Sequence, residues 1–338
     1  MIRRANIVTT IISVTVAACR LASAQQPVTT TLTVDLTNQV EYQGDIYDPA
    51  KFARNANTTP SLGNGTGILN FGVATILADI VAVNGQPAKG LFAARDRWIA
   101  AYPVPVPGQA IADVRRGRIR EFTFEILQPD GTAVGSIMGM GLAEGDPPPG
   151  QPSTEKANWA ITGGTGAFLG ARGQVGGTGG SGRAASMAED PANRRVNGGS
   201  PNRYLVHIIP MTVPQIVTTV SGPAVFHADF SPVTATKPAS PGEVLIAMVN
   251  GLGPTHPGVD PGQAFPTYPA NPLQSVISPV EVKVNGQSTV AINPIGWPTL
   301  VDTYRVDFRV PEGVVAGTAS VQLSAAWITG PAVQFAVQ

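Results

Sequence analysis

The 338-residue chain holds one cysteine, Cys19, three histidines and only 13% charged residues. A single cysteine excludes an internal disulfide framework, so stability must come from packed cores. His207, His227 and His256 are not spaced as metal ligands, and no metal or other cofactor is expected. Basic and acidic residues balance at 22 each, which leaves no global field to attract nucleic acid, and no nucleic-acid partner is expected. No Gly-x-Ser-x-Gly elbow occurs, which removes the commonest serine-hydrolase route. Low charge beside 43% apolar residues excludes charge-driven disorder. Helical runs are also scarce, because 38 glycines and 31 prolines interrupt them. An all-β architecture with many turns follows.

The first 24 residues read as a signal peptide. Arg3 and Arg4 precede a mostly apolar stretch that ends in Ala22-Ser23-Ala24, a small-x-small cleavage pattern. This predicts a secreted or periplasmic protein. Val16-Ala17-Ala18-Cys19 resembles a bacterial lipobox, and the alternative is a lipid anchor at the cell envelope through Cys19. Without that anchor no stable membrane insertion is expected.

Strand signals follow along the mature chain. Residues 28–36 alternate Thr with apolar side chains, and the apolar run 67–83 ends at the hairpin signal Asn84-Gly85. Phe122, Phe124 and Ile126 share a face, and Gln128-Pro129-Asp130-Gly131 turns the chain into 132–142. With 157–161, 168–175 and 204–209, the count approaches eight antiparallel strands, enough to close a barrel. Residues 176–202 read as a mobile surface insertion. Arg115, Arg116, Arg118 and Arg120 read as a solvated strand end, and Arg95-Asp96-Arg97-Trp98 as an exposed ion-paired strand, with a lumenal position as the alternative. Beyond Pro214 the texture changes to short valine-rich strands, roughly seven in about 125 residues, which predicts an immunoglobulin-like β-sandwich. The expected units are therefore 25–213 and 215–338, each unfolding cooperatively on its own.

The stretch Thr162-Gly163-Gly164-Thr165-Gly166 has a dinucleotide-binding look. Its spacing fails, since Leu169 stands where the third glycine is needed, and glycines follow instead of a helix. The only Tyr-x-x-x-Lys, from Tyr47 to Lys51, lies upstream and contains Pro49. Gly163, Gly164, Thr165, Gly166, Phe168 and Gly173 are expected to form a structural turn with at least one glycine at positive φ.

Trp159-Ala160-Ile161-Thr162-Gly163-Gly164-Thr165-Gly166-Ala167-Phe168-Leu169-Gly170-Ala171-Arg172-Gly173 resembles the strand-turn-strand signature of the allene oxide cyclase and dirigent barrels, and Gly135-Ser136-Ile137-Met138-Gly139-Met140-Gly141 resembles their preceding small-residue strand. The resemblance implies an eight-stranded antiparallel barrel whose lumen takes a small apolar ligand without metal or nucleotide. It leaves open whether the ligand is isomerised or cyclised. Arg172 is the one candidate ligand contact it carries over, placed by strand parity on the face of Phe168, both pointing into the lumen or both out, with a solvated or structural arginine as the alternative. Pro241-Gly242-Glu243-Val244-Leu245-Ile246, Gly251-Leu252-Gly253-Pro254-Thr255 and Tyr304-Arg305-Val306-Asp307-Phe308-Arg309-Val310-Pro311-Glu312-Gly313 resemble a bacterial immunoglobulin-like domain of exported proteins with no assigned activity. That implies an accessory module. The alternative function for the whole chain is a non-catalytic extracellular contact or surface-display module.

Overall fold

Alternation of apolar and polar residues builds the first architecture. In a computed structural model that describes residues 29–43, 61–63, 66–68, 73–98, 118–143, 156–178, 182–186, 189–260, 262–269 and 271–338, eight strands follow one another around a ring. They are β1 (Thr30–Gln43), β2 (Val73–Val83), β3 (Lys89–Trp98), β4 (Arg118–Leu127), β5 (Ala133–Ala143), β6 (Lys156–Gly166), β7 (Arg172–Gly177) and β8 (Ser200–Ile209). Each pairs antiparallel with its successor, and β8 pairs with β1, so the barrel is closed as the sequence predicts. The targeting segment, Cys19, Arg115, Arg116 and the Tyr47 to Lys51 motif lie outside the described residues.

The two ends of the barrel differ. At one end the connections are tight: Asn84-Gly85, the Gln128-Pro129-Asp130-Gly131 turn, and residues 167–171. Asn84 and Gly85 both take positive φ, the conformation a two-residue hairpin demands. The other end holds the strand ends between which the sequence is longer, Gln43 and Val73, Trp98 and Arg118, Ala143 and Lys156, and Gly177 and Ser200.

One expectation is overturned here. Residues 176–202 were expected to be a mobile insertion, yet their described part contributes to β7, β8 and a short strand, Arg183–Ser186, that pairs parallel with Val40–Gln43 of β1. A 3-10 helix, Pro191–Arg194, follows, capped by the Asp190 side chain on Ala192 N. The segment covers Val40, Tyr42 and Leu77 on the barrel's outer wall and is tied down at Asp79. Asp79 accepts from Asn38 Nδ2 at 2.9 Å, from Arg195 Nη2 at 2.7 Å, and from Arg194. Loop composition hid this, because a parallel strand pair needs no turn signal between its members.

The second architecture comprises a seven-stranded and a five-stranded sheet, both open. Leu245, Val249, Val306 and Phe308 of the first sheet and Val282, Val321, Leu323 and Phe335 of the second belong to one buried cluster. The hairpin that joins Gly317–Ala325 to Ile328–Thr329 reaches the other way. Ala326 and Ile328 join the barrel's own core cluster, and Trp327 packs against it. Ile328 lies beside Phe168, Ala171 and Ile208 at the short-turn end, and Gln128 Nε2 donates to Ile277 O at 2.6 Å. The second unit therefore caps the barrel's tight end. Ala326 and Trp327 both hold positive φ (47° and 62°), an unfavourable state for side chains of this kind that the buried contacts must offset.

Candidate functional site

Strand parity decides what the barrel interior contains. On β4 the inward set is Ile126, Phe124, Phe122 and then Arg120; on β3 it is Phe92, Ala94 and then Asp96. Arg120 and Asp96 are register partners, so the periodicity that buries phenylalanines also buries a charge pair. Arg120 Nε and Nη2 each donate to Asp96 at 2.6 Å, and Asp96 is 0% and Arg120 7% exposed. Arg118 Nη1 donates to Glu41 Oε1 at 2.9 Å and lies 3.4 Å from Asp96 Oδ2. This corrects two expectations. Arg118 and Arg120 are not a solvated strand end, and Asp96 is not exposed; the missed signal was the continuation of the two-residue alternation past Phe122 and Ala94.

Glu41 reaches the cluster through a bulge. Leu32, Val34 and Leu36 of β1 point inward, and the register then slips at Asn38, whose φ is 52°. Past the slip the parity is reversed, so Glu41 pairs with inward Ile76 while Val40 and Tyr42 face the outer wall.

Beneath the charges lies an aromatic layer. Phe124 and Tyr204 come from opposite sides of the ring and meet at 5.6 Å between centroids. Trp159 stands 5.2 Å from both Phe122 and Tyr204. The ring of Phe122 fits because Gly139 has no side chain; a Cβ there would come within 2.8 Å of it and 1.9 Å of Ala160 O. Side chains thus close the lumen at mid-height, as an eight-stranded barrel allows. The Arg120 guanidinium lies 4.7 Å above the Trp159 ring centroid, a cation–π contact out of water. Asn202 Nδ2 donates to Gln39 Oε1 at 2.9 Å and approaches the Tyr204 hydroxyl at 3.3 Å. Trp159 Nε1 is buried with no hydrogen-bond partner among the described residues.

Burial alone would lower the Arg120 pKa, but its hydrogen bonds to Asp96 together with electrostatic interactions with Tyr204, Asp96 and Glu41 outweigh that and hold it above its ordinary value. Burial pushes the Tyr204 hydroxyl up, so it remains neutral. The arrangement is a buried Asp96–Arg120 ion pair on an aromatic floor, with Arg118 and Glu41 beside it, at the long-connection end.

The residues singled out in the sequence fall elsewhere. Arg172 is exposed, and its Nη1 donates to Thr162 O at 2.6 Å and Ala171 O at 2.9 Å. Strand parity, which puts Arg172 and Phe168 on one face, inward or outward together, fails because Phe168 sits in a turn and not in β7; the turn returns the chain so that Phe168 is buried while Arg172 faces out. The glycine motif lies at the opposite end from the charge cluster. Gly163, Gly164 and Thr165 belong to β6, Gly166 and Gly170 frame the turn at φ 60° and 72°, and Gly173 lies in β7 at φ 141°. A Cβ on Gly164 would meet Phe168 O at 2.3 Å.

His227 is bound to Glu243 at 2.6 Å and Lys237 O at 3.2 Å, and His207 to Thr31 at 3.0 Å. Among the described residues no group of three or more His, Cys, Asp or Glu side chains is placed to hold a metal, and no helix is long and apolar enough to cross a membrane.

No protein-family model and no curated protein matches the chain. A solved polysaccharide lyase structure aligns with 91% of this chain at 8% identity and a TM-score of 0.17, too slight a likeness to bear on fold or activity. The chain spans about two fifths of that enzyme's length, since 39% of it is covered.

Proposed function

We propose that this is an exported bacterial protein whose barrel binds a small, largely apolar molecule at its long-connection mouth, the aromatic layer serving as floor and Arg118, Arg120 and Trp159 Nε1 facing the ligand's polar group. The carrying observation is the buried Asp96–Arg120 pair. Such a pair adds little stability compared with an apolar pair of the same volume, so its presence in an otherwise apolar interior calls for a reason other than packing. A ligand carboxylate, or an oxygen that develops negative charge during isomerisation or cyclisation, would find two guanidinium groups there.

Export is supported by Arg3, Arg4 and the Ala22-Ser23-Ala24 pattern, with lipidation at Cys19 as the alternative. The stretch from Trp159 to Gly173 supports an allene oxide cyclase or dirigent-like reading of 25–213. Two open sheets with a common core support an immunoglobulin-like accessory role for 215–338. One observation favours the second reading, a non-catalytic contact module: the aromatic layer leaves the middle of the lumen no room for a ligand.

A thermal-shift screen of fatty acids and phenolics on the full chain separates the two. The ligand reading expects at least one compound to raise the melting temperature, Arg118→Gln to weaken that binding about tenfold or more, and Arg172→Ala to leave it unchanged. No shift across the set, or a shift that Arg118→Gln leaves intact, hands the function to the contact-module reading.

A further inference from the structure

A cleft of about 440 Å³ opens where the capped end of the barrel meets the second unit. Its volume lies within the range of small-molecule sites, and junctions between units are where such sites concentrate. Barrel residues Ala167 and Leu169, with Met211 of the connecting segment, form one side. Gly251, Gly253, Gly258, Gly262 and Val301 form the other. Leu169 and Met211 are each 70% exposed and Val301 is 49% exposed. Isolated apolar side chains on a surface need no explanation, but here three converge on one hollow from two architectures.

The floor is aromatic and uncharged. Phe265 and Tyr304 lie 5.3 Å apart between ring centroids, and the Tyr304 hydroxyl donates to Gly253 O at 2.6 Å. Burial, and Asp302 beside it, push that hydroxyl well above the ordinary tyrosine range, so it stays protonated. The charges of the described lining are of one sign. Asp260 and Asp302 supply two exposed carboxylates, and no lysine, arginine or histidine of the described residues lines the cleft.

We propose that this cleft binds a small, mainly apolar molecule carrying a positively charged group. The apolar body packs on Leu169, Met211 and Val301, and the cation lies toward Asp260 and Asp302. An anionic ligand of the same shape would meet like charge in a partly desolvated hollow and gain nothing in return. This site is independent of the one proposed at the barrel mouth, which lies at the opposite end of the barrel and offers guanidinium groups.

Calorimetric titration of the full chain with hexyltrimethylammonium, with hexanoate as the opposite-charge control, reads the proposal directly. The cation is expected to bind at least tenfold more tightly than hexanoate. Gly258 gives a way to fill the cleft: a Cβ there has Thr255 O as its nearest neighbour, at 3.6 Å, and its φ lies outside the left-handed region. Gly258→Leu should abolish binding while the melting temperature holds. Should that variant fold poorly, the exposed pair Asp260→Asn with Asp302→Asn must lower affinity at least threefold, while Arg118→Gln leaves it unchanged. Equal binding of cation and anion, no binding of the cation, or binding that survives both cleft variants would overturn the assignment.

Discussion

Asp96 is a carboxylate with no solvent exposure, held between two guanidinium groups in an interior that is otherwise apolar. Removing one member of such a pair leaves the other charge buried and alone, which costs about 3 to 5 kcal/mol. Asp96→Ala is therefore expected to destabilise the barrel by about that amount in urea denaturation. Replacing both members, Asp96→Leu with Arg120→Met, should restore most of the loss and still remove ligand binding at the mouth. A double variant as unstable as the single one would show that the pair is structural. The sequence held half of this site in plain view. Arg120 follows the alternation of Phe122, Phe124 and Ile126, and Asp96 follows that of Phe92 and Ala94, so parity alone points both inward. Charge argued the other way, because exposed arginines are far commoner than buried ones. Glu41 was not legible, since its direction depends on the slip at Asn38, which no local pattern announces.

At the scale of elements, hairpins marked by Asn84-Gly85 and Gln128-Pro129-Asp130-Gly131 were readable because tight turns have strict chemistry. The parallel strand Arg183–Ser186 and the 3-10 helix were not, since their positions depend on long-range ties to Asp79. Burial alone would raise the Asp79 carboxyl, but hydrogen bonds from Asn38 and Arg195 and the charge of Arg194 outweigh it and hold it below its ordinary 3.8. A depressed folded-state pKa means that the unfolded chain takes up the proton first as the pH drops. The stabilisation is therefore complete above about 3.8 and is lost as the pH falls through the folded value. Asp79→Asn should lower stability by about 1 to 3 kcal/mol at pH 7. The difference in melting temperature from the parent should shrink below pH 3.8. A difference that stays constant with pH would mean that the tie is carried by shape and not by charge.

The whole molecule is arranged around its two unlike barrel ends. Composition placed a division near Pro214, and the sheets do separate there, yet Ala326 and Ile328 belong to the barrel's core cluster. Ile328→Ala, made in the second unit, is expected to cost the barrel about 2 kcal/mol or more. The check is hydrogen exchange at the β8 amides, which should speed up. Unchanged exchange there would mean that the units are energetically separate, as their composition suggests.

The barrel's simple order also dictates a sequence of events during folding. Every strand from β2 to β8 pairs with the strand just made before it, so the seven pairings can proceed one after another, three of them across tight turns and four across longer links whose closure cost grows only slowly with length. The seam between β1 and β8 joins residues far apart in the chain, as does the pairing of Arg183–Ser186 with β1, and it must wait for Ile209. The segment that seats on the tight end follows more than a hundred residues later, which at about 5 to 20 residues per second is a delay of several seconds in a nascent chain. Until Ile328 arrives, Phe168, Ala171 and Ile208 have no cover, and the newborn barrel is for that interval a sticky, open-bottomed cup.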